Sequence, residues 1–187
     1  DPFDIVVDCF GGSGVTIDVC RDRLRRYWVS DRKPLVERAN EIRELDITKG
    51  LPPLNKRWAD VRLSFLDPPY WKQAEGKYSK DPEDLANMSL EDFNKTLAGL
   101  INGIADKQSK GVIALLIQPT QWKAPDREFT DHVFDMVRSA NPKKLKLINR
   151  ISCALSSEQC TPPMVEWAKE HRELLVISRE LVVWQII

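Results

Sequence analysis

Val112–Ile117 reads VIALLI, six apolar residues in a row, with Gly111 before them and Gln118-Pro119 behind. A strand with one wet face alternates apolar and polar side chains, so an unbroken run of this kind has to be buried on both faces. The interior of a parallel sheet, covered by helices on each side, meets that demand. The rest of the chain agrees with it. IVVDC at 5–9, YWVS at 27–30 and VRLSFL at 61–66 are further short strand signals, and helix-forming stretches lie between them. Strand and helix in alternation argue a mostly parallel α/β sheet. A strand-rich tail adds antiparallel pairing at one edge.

The first strand enters FGGSG and then a helical stretch over 15–26. Pro34 suits the first turn of a helix, and helix formers continue over 35–44. A very short strand is expected at 46–48, and KGLPPLNKRW at 49–58 is a loop. Residues 72–88 form a polar loop of about 17 residues, and loops of that length without secondary structure tend to be functional or mobile. Ser89 and Asp92 resemble a capping box with Asp in place of Glu. Leu90, Phe93, Leu97, Leu100, Ile101 and Ile104 then follow the helical period. Beyond VIALLI come a short amphipathic helix over 129–137, a strand over 144–155 and a proline-led helix over 161–171. Residues 174–187 form one bent strand or a hairpin.

At 187 residues the chain suits one domain with a full core. Its 28 basic and 28 acidic residues cancel. No global field therefore steers it to nucleic acid or to an anionic membrane, and such binding needs a local patch or another domain. Cys9, Cys20, Cys153 and Cys160 show no C-x-x-C pairing, which reads as buried reduced thiols and not as a metal centre. No stretch approaches the ~20 apolar residues of a membrane span, and the acidic start DPFDIVVDCF lacks the basic opening of a signal peptide. A cytoplasmic setting, with no membrane partner, is expected. The absence of an initiator Met suggests a single domain, 1–187, that is part of a longer chain.

Three places carry candidate chemistry. In FGGSG, Gly11, Gly12 and Gly14 allow conformations and approaches that a Cβ blocks, and the helix behind them offers free N–H groups to a polar or negative ligand. The spacing is neither G-x-G-x-x-G nor a P-loop. Asp31 ends the second strand, where an acid can accept hydrogen bonds from both ribose hydroxyls of a nucleoside; a helix cap is the plainer role. Asp46, in LDIT, is placed to reach the base of such a ligand, or is a surface turn residue. The third place is LDPPYW, residues 66–71. Proline removes a backbone donor and fixes φ, so Pro68 and Pro69 end the strand and leave Asp67 and Tyr70 at its C-terminal edge. Open α/β sheets bind ligands there.

Taken in order, strand–FGGSG, strand–Asp31, Asp46 and strand–DPPY make the chain resemble the S-adenosylmethionine-dependent amino methyltransferases that modify nucleic-acid bases. The likeness rests on VVDCFGGSGVT at 6–16, close to that family's D-x-F-x-G-S-G-x-T loop, and on LDPPY at 66–70. It covers roughly residues 5 to 118 well, and the C-terminal third only by strand pattern. The resemblance implies a Rossmann-like class I methyltransferase fold: a mostly parallel seven-stranded sheet, helices on both faces and an antiparallel edge hairpin. It implies S-adenosylmethionine as cofactor, with Asp8, Phe10, Gly11, Gly12, Ser13 and Gly14 around its methionine part. Asp31 goes to its ribose and Asp46 to its adenine amino group.

The implied reaction uses Asp67, Pro68, Pro69 and Tyr70. An exocyclic amino nitrogen is a poor nucleophile because its lone pair is delocalised into the ring. The Asp67 carboxylate and the Pro68 carbonyl can accept its two hydrogens and aim the lone pair at the methyl group. The prolines hold both acceptors rigid, and fixed dipoles favour the developing positive charge. Tyr70 stacks on a base flipped out of its helix, and Trp71 extends that wall or joins the core. Lys77, Tyr78 and Ser79 lie in the loop where relatives close over the base, and Gln118-Pro119 lines the pocket. No metal is required.

DNA is the expected partner, in a prokaryotic or phage setting, with adenine N6 as the target. Ser-Pro-Pro-Tyr is the commoner signature for cytosine N4, so Asp67 favours adenine. The chain lacks the long target-recognition region of sequence-specific relatives, so additional domains or a specificity subunit are expected to supply it. The basic runs RDRLRR at 21–26 and NPKKLK at 141–146 are phosphate contacts or solvated faces. Alternative readings are a cytosine N4 methyltransferase, a ribosomal RNA base methyltransferase, and a non-catalytic module binding cofactor or a partner.

Overall fold

The computed structural model describes residues 1–73, 75–76, 79–121, 127–155 and 160–187. Seven strands form one sheet: β1 (Ile5–Asp8), β2 (Arg26–Asp31), β3 (Arg43–Glu44), β4 (Val61–Leu66), β5 (Val112–Ile117), β6 (Leu145–Ala154) and β7 (Ser178–Ile186), in the spatial order β3-β2-β1-β4-β5-β7-β6. The first five are mutually parallel, and β7 runs antiparallel to both β5 and β6. The chain winds outward from β1 through β2 and β3, then returns to lay β4 on the other side of β1. That reversal opens a crevice at the carboxyl ends of β1 and β4, the position where doubly wound sheets take ligands.

The central strands are buried as their composition demands. In β5, Ile113, Leu115 and Ile117 are fully buried, and Ala114 nearly so. Successive residues of β2 fall on opposite sides, Trp28 packing on the larger core and Val29 on a smaller one with Ile17 and Ile42. The larger core receives α2 (Leu90–Lys107) and α3 (His132–Ser139); the smaller receives α1 (Val15–Asp22). Helices therefore cover both faces.

The helix of the expected period is α2. It buries Phe93, Leu97, Ile101 and Ile104 completely, each contributing about 1.5–3 kcal/mol relative to exposure. Its cap forms as the sequence indicates: the Ser89 hydroxyl oxygen accepts from the Asp92 N–H at 3.1 Å. The Asp92 carboxylate, shorter than Glu, takes the Ser89 hydroxyl proton at 2.7 Å in place of the backbone N–H.

Several expectations are corrected. Residues 35–44 are not a helix: a 3-10 turn occupies Val36–Arg38 and β3 follows. Leu35 and Val36 are exposed and Ile42 alone of the apolar residues there is buried, so a helix would have no apolar face to dock. The third strand lies at 43–44, ahead of the expected 46–48, and Asp46 instead caps a 3-10 turn, Ile47–Lys49. The loop expected over 49–58 ends in a 3-10 helix, Asn55–Asp60, which seats Trp58 in the core. The helix expected from 129 starts at His132, capped by Asp131, because Thr130 bridges back to Thr120. Residues 174–187 yield one strand and no hairpin of their own; the antiparallel edge pair is β6–β7, joined through α4 (Pro162–His171). Among the described residues no helix is long and apolar enough to cross a membrane.

Candidate active site

The crevice between β1 and β4 opens into a cleft of about 1540 Å³. Pockets for one drug-sized molecule reach ~1,000 Å³, so two ligands side by side fit. Its near half is lined by Phe10, Gly12, Ser13, Asp31 and Asp46, its far half by Asp67, Pro68, Pro69, Tyr70, Gln118 and Arg179.

The near half is built around the FGGSG turn. Gly11 is a packing residue: its N–H donates to the Ser30 carbonyl at 2.9 Å, and a Cβ there would lie 2.5 Å from Val29 Cγ1. Gly14 caps α1 in the left-handed region at φ 86. Asp8, at the end of β1, is 3% exposed and stands behind the turn, not in the cleft wall. Its carboxylate accepts from the Phe10 N–H at 2.8 Å and the Thr16 hydroxyl at 2.5 Å, tying the turn to the first residues of α1. Burial pushes the Asp8 carboxyl up to about 6 against those two hydrogen bonds, and the negative charges of Asp67 and Asp31 add to the push. Asp8 and Gly14 are not part of the cleft wall; in this structure they hold the turn from behind.

Asp31 reaches back from β2 to the turn. Oδ2 accepts from the Gly12 N–H and Oδ1 from the Lys33 N–H, both at 2.9 Å. An ionised carboxylate has about four acceptor sites, so Asp31 keeps capacity for a ligand hydroxyl. Asp46 faces the same space while its Oδ1 accepts from the Thr48 N–H and hydroxyl. Burial would raise the Asp46 carboxyl, but those bonds and the charges of Arg32 and Lys49 outweigh it and hold it below its ordinary value.

In the far half, Asp67 follows the last residue of β4, and the two prolines behind it stop the ladder. The Tyr70 hydroxyl donates to Asp67 Oδ1 at 3.0 Å. Burial raises the Asp67 carboxyl, with the Tyr70 hydrogen bond and the Arg179 charge pulling it back. Of the two roles open to Trp71, the structure shows the core one: it is 5% exposed and its Nε1 donates to the Met88 carbonyl at 3.0 Å. Its carbonyl accepts from the Thr120 hydroxyl at 3.0 Å, and Thr120 Oγ1 lies 2.9 Å from His132 Nε2. With the hydroxyl proton committed to Trp71, His132 must be the donor, so its proton sits on Nε2. Burial depresses His132 to about 4, against the nearby charges of Asp135 and Asp131. The ring stands edge-on to Trp71 and Phe93, and this node clamps the end of the DPPY segment.

The loop after that segment is organised by Asp84 and Asn87. Ser79, on the cleft wall, donates to Asp84 Oδ2 at 2.9 Å, and the Asn87 amide donates to the Ser79 and Asp81 carbonyls. Arg32 latches the loop to the near half by pairing with Asp46 at 3.4 Å, with Asp84 at 3.8 Å and with Asp81. Lys77 and Tyr78 lie outside the described residues. The remaining wall comes from the connection between β6 and β7, through Leu155, Thr161, Met164 and Val176. Gln121 fixes that connection by donating to the Leu174 carbonyl at 3.0 Å and accepting from the Val176 N–H at 3.1 Å. Sequence reasoning missed Arg32, Gln121 and Arg179. Of the basic runs, Arg21 pairs with Glu41 and Lys144 with Asp106, as solvated faces do.

No family model matches the chain, and no curated protein matches its sequence. Solved structures do match its fold. An rRNA methylase from Streptococcus thermophilus superposes with a TM-score of 0.56 at 15% identity, over 100% of this chain and 89% of that one. The TehB-like SAM-dependent methyltransferase from Corynebacterium glutamicum gives 0.55 at 13%, over 100% and 82%. The 1,6-didemethyltoxoflavin-N1-methyltransferase from Burkholderia thailandensis, with S-adenosylhomocysteine bound, gives 0.56 at 10%, over 99% and 72%. The chain has the Rossmann-like class I methyltransferase fold.

Proposed function

We propose that the near half of the cleft binds S-adenosylmethionine and that the far half holds a nucleic-acid base whose exocyclic amino group is methylated, adenine N6 in DNA first of all. The observation that carries this reading is the placement of Asp67, Pro68, Pro69 and Tyr70 at the carboxyl edge of β4, facing the same cleft as the glycine turn and Asp31. The near half suits the cofactor chemically. Asp8, Asp31 and Asp67 end neighbouring strands closely enough for the last two to raise the first, and a ligand bearing a sulfonium and an ammonium relieves that crowding. Phe10, Gly12 and Ser13 would hold its methionine part, Asp31 its ribose and Asp46 its adenine. When bound, it supplies an electrophilic methyl group.

The chain's own residues do the rest. Tyr70 occupies Asp67 Oδ1, which orients the carboxylate and leaves Oδ2 to accept one amino hydrogen. The Pro68 carbonyl accepts the other. The nitrogen would form its new N–C bond as the methyl's bond to sulfur breaks, the electron pair staying on sulfur as a neutral thioether, and Asp67 is placed to take the proton the nitrogen sheds. The reaction needs Asp67 ionised. Burial raises its pKa, so activity should fall on acidification at a higher pH than an unperturbed aspartate would give. DNA is the proposed partner, with further domains or a specificity subunit supplying sequence recognition.

A second reading, base methylation in ribosomal RNA, draws support from the similar length and fold of a structure named as an rRNA methylase. One experiment separates the two: transfer of a labelled methyl group from S-adenosylmethionine to unmethylated DNA and to ribosomal RNA, with identification of the modified nucleoside. N6-methyladenine in DNA is the expected product. Label in RNA alone selects the second reading, and no label in either contradicts both.

A further inference from the structure

Arg179 is the group in the far half that the proposed chemistry leaves without a task. It is the second residue of β7, which pairs with β5 so that Glu180 stands opposite Ile117. That register brings Arg179 to the carboxyl edge of the sheet, on the cleft wall with Gln118, Asp67 and Tyr70. Its guanidinium carbon lies 5.6 Å from the centre of the Tyr70 ring, and its charge acts on the Asp67 carboxyl. Its Nε is buried and has no hydrogen-bond partner among the described residues. A buried N–H without an acceptor is destabilising, and an acceptor on a bound ligand removes the penalty.

Asp67 thus offers an acceptor and Arg179 a donor in one compartment, above and beside the same aromatic ring. We propose that Arg179 is a specificity-determining residue that donates to the sp2 ring nitrogen flanking the methylated amino group, so that the far half reads an amidine edge, –N=C–NH2. The inference rests on the base-methylation reading given above. Adenine offers this edge through N6 with N1, and cytosine through N4 with N3. Hypoxanthine and uracil present the reverse: a carbonyl faces Asp67 and a ring N–H faces Arg179, and both contacts become repulsive. Selection against deaminated bases therefore comes from two side chains at the same edge of the sheet, one following β4 and one on β7, with β5 between them.

The test uses the full chain with S-adenosylhomocysteine bound and short single-stranded oligonucleotides carrying one adenine, 1-deazaadenine, 7-deazaadenine or hypoxanthine. Affinities are measured calorimetrically for the wild type, Arg179→Met and Arg179→Lys. In the wild type, 7-deazaadenine should bind like adenine, whereas the 1-deaza analogue and hypoxanthine should bind weaker by on the order of tenfold or more, as expected for loss of a charge-assisted hydrogen bond. In R179M, adenine and the 1-deaza analogue should bind equally. R179K should fall between, because an ammonium keeps the charge and loses the planar donor fork. Wild-type discrimination that persists in R179M, or a wild type that binds all four alike, overturns the inference while leaving base methylation standing. Absence of both base binding and methyl transfer in the wild type overturns the methylation reading itself, and this inference with it. Unchanged S-adenosylhomocysteine affinity in R179M certifies that the variant folds; if R179M does not fold, R179K decides between the same outcomes.

Discussion

The two halves of the cleft are held together in different ways. In the near half the fixing bonds join residues 2, 8 and 19 apart in sequence: Phe10 to Asp8, Thr16 to Asp8, and Gly12 to Asp31. In the far half they join residues 46, 49, 53 and 55 apart: Gln73 to Pro119, Thr120 to Trp71, Gln121 to Leu174, and Val176 to Gln121. Closing a longer loop costs more entropy, and non-local contacts form late in folding. The near half therefore needs only β1, β2 and the adjoining β3 segment that leads to Asp46. The far half exists only when β4, β5 and β7 are all in place. A binding half that is locally built and a target half that is globally built can vary separately.

That comparison is broken most severely at Thr120. Thr120→Val leaves the Trp71 carbonyl and the His132 Nε2–H buried and unpaired, a loss of about 2–4 kcal/mol in stability. Methyl transfer should drop sharply while S-adenosylhomocysteine affinity changes by less than about threefold. Cofactor affinity that falls in step with transfer would show the halves to be one unit.

The next effect is a pH dependence, read by chemical denaturation between pH 4 and 7. Asp8 has a folded pKa raised from 3.8 to about 6, so the folded state holds the extra proton and stability is lost as pH rises through that window. His132 has a folded pKa lowered from 6.5 to about 4, so the unfolded state holds the extra proton and stability is lost as pH falls. Each is worth on the order of 3 kcal/mol, and the two oppose one another. Asp8→Asn should expose the far-half residue, giving stability that rises with pH. His132→Gln should expose the near-half residue and reverse the slope. Two variants with the same slope would contradict these assignments.

Smaller still, Asp31→Ala should weaken cofactor binding by about 1.5–3 kcal/mol and leave target affinity alone, as titration of each ligand would report. Arg32→Ala, at the latch between the halves, should raise the KM for the target by at most the equivalent of ~1 kcal/mol, since the Arg32 and Asp81 side chains are more than a third exposed. An equal loss in cofactor affinity would place the latch in the near half.

How much the sequence revealed follows the same division. The strands with unbroken apolar runs, the FGGSG turn, Asp31 at a strand end and the DPP stop are local patterns, and each lies where its residues indicate. The mostly parallel seven-stranded sheet and its antiparallel edge followed from those patterns together with the resemblance; the order of the strands came only with the structure. The helix expected at 35–44 failed because its residues have the propensity and lack the buried face. Trp71 remained open in sequence because a core tryptophan and a stacking tryptophan look alike; only Thr120, Met88 and His132, all distant in the chain, decide it. Arg179 and Gln121 carry no local pattern at all, since their positions are set by how β7 and the β6–β7 connection return to β5.

The central claim is that Asp67 acts on the target and not on the cofactor. The most direct measurement is a pair made on one preparation of Asp67→Ala: the S-adenosylhomocysteine dissociation constant by calorimetry, and the rate of labelled methyl transfer. The account predicts a dissociation constant within about twofold of the wild type and no detectable transfer. Transfer at the wild-type rate would contradict it.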